Sequence, residues 1–86
     1  MDPMDMLDMT AADFLAEAAG GGVDGLIEAI DSLEERMPEK GADFYEGVSE
    51  TLKGIASTAA RGRSWTDRQE LAVENILIGL NQWIDR

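Results

Sequence analysis

Three consecutive glycines (Gly20, Gly21 and Gly22), Pro38 and a turn around Gly62 divide this chain into four stretches. A glycine run does not profitably continue a helix. Proline removes a backbone donor and restricts the residue before it. Within the stretches the apolar residues return every three or four positions, the repeat of one face of an α-helix. Val23, Leu26, Ile27, Ile30, Leu33 and Met37 show it most clearly. No stretch alternates apolar and polar residues as a half-buried strand does. The expected fold is therefore all-α: a small bundle of three main helices plus a short N-terminal helix.

The first helix is expected over residues 11–19, opened by Thr10 and Asp13 and carrying Phe14, Leu15 and Ala18 as its apolar stripe. Asp2 and Pro3 offer an earlier start, as N-cap and first-turn proline. The second helix is expected over about 24–37, stopped by Pro38. The third spans about 43–60, with Asp43 and Glu46 as a cap pair and Phe44, Val48, Leu52, Ile55 and Ala59 facing inward; Gly62 should end it. Gly47 and Gly54 inside it each cost roughly 1 kcal/mol relative to alanine, and the expectation is that they let another helix approach. The fourth helix starts at a Thr66–Gln69 capping box behind Trp65 and runs to about Ile84. Val73, Ile76, Leu77, Leu80, Trp83 and Ile84, widened by Leu71 and Ile78, make it the expected centre of the bundle. Residues 11–86 are read as one helical domain. Residues 1–10 are read as an acidic, Met-rich segment, either a frayed end or a first helical turn.

At 86 residues a chain buries only roughly 60–65% of its unfolded surface, which argues against a large internal cavity. There is no Cys and no His. Disulfides and thiolate metal sites are excluded, and the commonest general base and transition-metal ligand are missing. Ser32, Ser49, Ser57 and Ser64 have no His to activate them. The glycine run lacks the Lys-Ser/Thr of a phosphate loop, the carboxylates lack EF-hand spacing, and the Glu-x-x-His pairs of diiron bundles are absent. The expectation is a protein that is not an enzyme, has no cofactor or metal, and acts by binding a partner. No apolar run approaches the roughly 20 residues of a membrane span, and no signal-peptide pattern opens the chain. A cytoplasmic location without membrane contact is expected.

Formal net charge is −11. Residues 1–50 carry 14 carboxylates against Arg36 and Lys40, whereas residues 51–86 carry a balance of +1. Phosphate neutralisation requires the opposite sign, so direct nucleic-acid binding by the acidic half is not expected. Asp24, Glu28, Asp31 and Glu35 lie at offsets of 4, 3 and 4, which on a helix is one stripe within about 40° of arc, away from the apolar face. Asp43, Glu46 and Glu50 repeat the device on the third helix, joined by Glu39 if that helix begins early. Successive carboxylates would stand about 5–6 Å apart and repel by a few tenths of a kcal/mol per pair. Two readings stay open: a solvated face that aids solubility, or a negative surface held for a basic partner. A protein whose own Lys and Arg grip nucleic acid is one such partner, with carboxylate rows standing in for phosphates.

Two other features carry weaker signals. Arg61, Arg63 and Arg68 surround Gly62, Ser64 and Trp65. They read as structural, with Arg61 suited to a helix C-terminus and the arginines pairing with the acidic half, or as a small site for phosphate or an acidic partner. Trp65 reads as packing, and Trp83 as core or dimer contact. Met4, Met6, Leu7 and Met9 among Asp2, Asp5 and Asp8 have the pattern of an acidic-hydrophobic recognition segment, methionine being adaptable at binding surfaces.

Asp31-Ser32-Leu33 matches the attachment motif of acyl carrier proteins, which are also small, acidic and helical. In that family the serine opens a helix. Here Ser32 falls late in a helix begun near Asp24, and Pro38 removes the helix that should follow, so a carrier role for Ser32 is the minor alternative. Residues 44–76, with Gly62, Thr66, Gln69, Ala72 and Val73, resemble a short helical module of phage and plasmid proteins that handle DNA. The whole profile is similar to that of phage-encoded inhibitors, including anti-CRISPR proteins and DNA mimics. That resemblance implies an inhibitor or adaptor acting in the host cytoplasm. The alternative is a structural or assembly subunit that forms a homodimer or larger oligomer through the fourth helix.

Overall fold

Both N-terminal start signals are used. Asp2 accepts the Met4 N–H at 2.8 Å and Pro3 follows it; Thr10 Oγ1 accepts the Asp13 N–H at 3.1 Å. The result, in a computed structural model that describes residues 1–84, is two short helices, α1 (Pro3–Leu7) and α2 (Ala11–Glu17), where one was expected. The three main helices are α3 (Val23–Ser32), α4 (Ala42–Gly62) and α5 (Asp67–Trp83). Among the described residues there is no strand, and the all-α bundle stands. None of these helices is long and apolar enough to cross a membrane.

Met6 and Leu7 are buried, and Met4 and Met9 pack half-buried against the core. The segment that resembles a recognition peptide thus commits its apolar residues to the interior. Asn81 of α5 holds it there, donating from Nδ2 to the Leu7 carbonyl at 2.9 Å. The glycine run does not end a helix in a loop. Residues Ala18–Gly22 make one wide turn, and Gly21 at φ 106° redirects the chain straight into α3. A residue with a Cβ adopts that φ only at a steric cost.

Leu26, Ile30 and Leu33 are wholly buried as their spacing predicts. The α-helix nevertheless stops at Ser32, short of Met37, because the chain tightens into a 3-10 turn at Leu33–Arg36. Pro38 then holds Met37 extended, at ψ 135°. A second 3-10 turn, Glu39–Gly41, leads into α4. Gly41, not Asp43, is the N-cap, and it makes no side-chain capping bond. It is buried where a Cβ would meet the Trp83 ring at 3.1 Å.

α4 occupies the centre, packing on α2, α3, α5 and the glycine turn; that place was expected of the last helix. Its inner face is Tyr45, Ser49, Leu52, Ala56 and Ala59. Leu52 and Ala59 were expected there, but Phe44, Val48 and Ile55 are only half-buried. The Tyr45 hydroxyl donates to the Ile30 carbonyl at 2.9 Å, which turns this side of α4 toward α3. Phe44 lies over Gly79 of α5, where a Cβ would collide with its ring. On α5 the Thr66–Gln69 capping box is complete, with bonds of 2.9 and 3.1 Å. Val73, Ile76, Leu77, Leu80 and Ile84 are buried. Leu71 and Ile78 face solvent, so α5 has a narrower apolar face than expected and lies at the side of the bundle.

Gly47 and Gly54 do not mediate a close approach: nothing lies within 4 Å of a Cβ built on either. Gly47→Ala and Gly54→Ala should therefore each raise stability by about 1 kcal/mol in denaturant titrations. Gly79→Ala should instead lower it, since displacing a packed side chain costs about 1–3 kcal/mol. Equal effects at all three positions would show that Phe44 is not seated on Gly79.

Candidate functional site

The burial of Leu26, Ile30 and Leu33 decides where the carboxylates of α3 go. Asp24, Glu28 and Asp31 are exposed on the outer side, and Glu35, on the 3-10 turn beyond the helix end, is exposed as well. Asp43, Glu46 and Glu50 are exposed on α4, which packs beside α3. All seven residues singled out from spacing alone thus stand in solvent on helical turns of neighbouring elements.

Lys53, which spacing did not single out, links the two rows. Its Nζ lies 2.8 Å from Asp31 Oδ1 across the α3–α4 seam and 3.5 Å from Glu50 Oε1 on its own helix. The Glu50–Lys53 step was visible as an i,i+3 pair; the Asp31 partner, 22 residues away, was not. These are the ion pairs formed between described residues. Asp24, Glu28, Glu35, Asp43 and Glu46 therefore face water without an ion pair to a described cation.

A groove of about 450 Å³ opens between the 3-10 turns and α4. Glu34 and Glu39 stand on one wall, Glu46 and Glu50 on the other, and Tyr45 and Ser49 lie inside it. Glu34 falls outside the predicted stripes. Tyr45 and Ser49 were not expected on the inner face, because neither reads as a core residue beside Phe44 and Val48. Among the described residues no group of three or more carboxylates is disposed to hold a metal ion. A second groove, about 410 Å³, runs between the α1–α2 corner and α5, where Glu70, Glu74 and the exposed Ile78 line it.

The basic turn does not neutralise the acidic half. Arg61, Arg63 and Arg68 are all exposed, and none pairs with a described carboxylate. Arg61 lies in the last turn of α4, where a cation complements the helix dipole. Gly62 does not serve as the breaker. The helix continues through it, and Arg63 takes the left-handed cap at φ 54°, its N–H donating to the Ala59 carbonyl at 2.7 Å. Trp65 packs half-buried, with Nε1 donating to Glu70 Oε1 at 3.2 Å. Ser32 sits at the end of α3, its hydroxyl donating to the Glu28 carbonyl at 2.9 Å.

Two titratable groups at the α3–α4 seam are shifted. Burial pushes the Tyr45 phenol above its ordinary 10.0, and the charges of Asp31 and Glu34 add to the shift. The hydrogen bond to Asp31 holds Lys53 above 10.5. In both cases the folded value exceeds the unfolded one. Each contribution is therefore complete below about pH 10 and is lost as pH rises through the folded value. The urea midpoint should fall in strongly alkaline solution. Tyr45→Phe should remove part of that fall and cost about 0.5–1.5 kcal/mol at neutral pH. A midpoint as steep in pH for Tyr45→Phe as for the parent would disprove the phenol's part. Comparison with known protein families, with curated proteins and with solved structures finds no match to this chain.

Proposed function

We propose that this chain is a non-catalytic inhibitor or adaptor, of the kind encoded by phages and other mobile elements. It lays the acidic faces of α3 and α4 on the nucleic-acid-gripping surface of a basic partner protein, as a DNA mimic or an anti-CRISPR protein does. One observation carries the reading. Asp24, Glu28, Glu35, Asp43 and Glu46 are displayed on adjoining helical elements, and none of them forms an ion pair with a described cation.

Carboxylates about 5–6 Å apart on a helix repel one another. Placed opposite a row of Lys and Arg, the same charges become attractive, and desolvation at the contact strengthens them. Long-range attraction raises the association rate and makes it fall steeply with salt. The rigidity of the display limits the entropy lost on binding.

The test uses charge reversal at residues that make no ion pair with a described residue, so that no such pair is broken, and helicity of the variant is checked by circular dichroism. Asp31 is left alone because reversing it would break the Lys53 bridge. Asp24→Lys, Glu28→Lys and Glu35→Lys combined should abolish capture of basic proteins from a cell extract, and duplex DNA should release what the parent chain captures. Capture that is indifferent to both the triple variant and DNA would rule the reading out.

A second reading has its own observation. Leu71 and Ile78, seven residues apart on α5, are 56% and 51% exposed, and Trp83 is 38% exposed. Residues so spaced share a face, and such a face suits assembly of like subunits through α5. Sedimentation separates the two. A dimer insensitive to salt and dissociated by Leu71→Lys with Ile78→Lys favours assembly, and a monomer at all concentrations removes it.

A further inference from the structure

We infer that the groove between the 3-10 turns and α4 is a receptor for one arginine side chain of a basic protein partner. The inference rests on the proposed reading and names the place where that partner is anchored.

Four carboxylates surround the groove from two sides: Glu34 and Glu39 on the turns, Glu46 and Glu50 on α4. Lys53 meets Glu50 at 3.5 Å but is held more closely by Asp31. Arg36 and Lys40 lie on the same turns, are exposed, do not line the groove and pair with no described carboxylate. Burial, Asp31, Glu34 and Glu50 raise the Tyr45 phenol against an opposing effect of Lys53, so the charges of two of the groove carboxylates reach its interior.

The second observation is Ser49. It is 6% exposed and lines the groove, and its hydroxyl has no hydrogen-bond partner among the described residues. No sealed side-chain polar atom among the described residues lacks a partner. The Ser49 oxygen is therefore not sealed but opens to the groove that Ser49 lines. Tyr45 beside it donates its only proton to the Ile30 carbonyl at 2.9 Å and so has no donor left to compete for the groove carboxylates. A buried hydroxyl without a described partner, between elements that carry four carboxylates, calls for a donor-rich cation.

The chemistry selects among cations. A metal ion needs several carboxylates converging on one point, and no such group of three exists among the described residues. An ammonium is a compact, strongly hydrated charge with three donors. A guanidinium is flat, weakly hydrated and carries five donors in a fork, so it can serve carboxylates on opposing walls and the hydroxyl below. Met37 and Ala42 line the same groove and supply apolar contact for the methylene stem.

The probes are blocked single amino acids added to the full chain and followed by amide NMR shifts. N-acetyl-arginine methylamide should shift Tyr45 and Ser49 saturably, and the neutral citrulline analogue should not. Glu39→Gln with Glu46→Gln should weaken the arginine derivative about tenfold, as expected for lost charge-assisted hydrogen bonds. Ser49→Ala should weaken it less while leaving the fold unchanged. Equal binding of citrulline, equal binding of the lysine derivative, or shifts spread along Asp24, Glu28 and Glu35 instead of the groove would each overturn the inference. Its failure is distinguishable from failure of the broader reading. If reversing Asp24, Glu28 and Glu35 abolishes partner capture while Glu39→Gln with Glu46→Gln leaves it intact, the acidic faces bind and the groove does not.

Discussion

The packing of α3 on α4 governs almost everything else in this molecule. A chain this short has little interior, so the apolar side of each helix must go into the one core available. Leu26 and Ile30 from α3, Leu33 from the turn that follows it, and Leu52, Ala56 and Ala59 from α4 are all but fully buried there. The Tyr45 hydroxyl fixes how the two helices sit against each other, because its acceptor is a backbone carbonyl that cannot rotate away. Lys53 closes the same seam from the solvent side. Once those helices are oriented, the carboxylates have no choice of direction. The acidic surface is a by-product of where the leucines must go, and its stiffness is that of the core beneath it.

Charge is distributed so that the surface stays charged. Arg61, Arg63 and Arg68 lie at the far end of α4 and the start of α5, Arg36 lies on the turn beyond α3, and none of them forms an ion pair with a described carboxylate. Surface ion pairs contribute only about 0–1 kcal/mol each, so folding gains little from making them. What their absence preserves is the field. A chain that needed only solubility could have interspersed lysines along the same stripes and lost the few tenths of a kcal/mol of repulsion per pair.

The three main helices, their order and the start of α5 were readable because they rest on local chemistry, namely the three-four repeat and the Thr66–Gln69 box; the split into α1 and α2 and the end of α3 at Ser32 were not. The exposure of the seven acidic residues was readable for the same reason, since helical arc alone separates them from Leu26 and Ile30. What escaped depends on contacts between distant residues. The inner face of α4 was placed one position away from its true line because Phe44 and Val48 look more apolar than Tyr45 and Ser49. Only the Ile30 carbonyl, 15 residues back, shows why a tyrosine belongs inside. Gly47 and Gly54 looked like contact points, whereas the close approach is at Gly79, under a ring from another helix. The groove could not be read at all, since one wall exists only because α3 gives way to 3-10 turns before Pro38.

Those turns make the two sides of the groove mechanically unlike. α4 is an unbroken helix of 21 residues anchored along its length by the core. The opposite side is two 3-10 turns of four and three residues separated by an extended Met37. It is tied by a long Met37 N–H to Glu34 carbonyl bond of 3.4 Å and by a Gly41 N–H to Pro38 carbonyl bond of 2.9 Å. Short 3-10 segments have poorer hydrogen-bond geometry than α-helix, and weakly bonded surface segments open at small free energy. The cleft is a fixed rail facing a yielding lip. An arginine entering the groove would take its alignment from the rail, and the lip would adjust to it at little cost to the bundle.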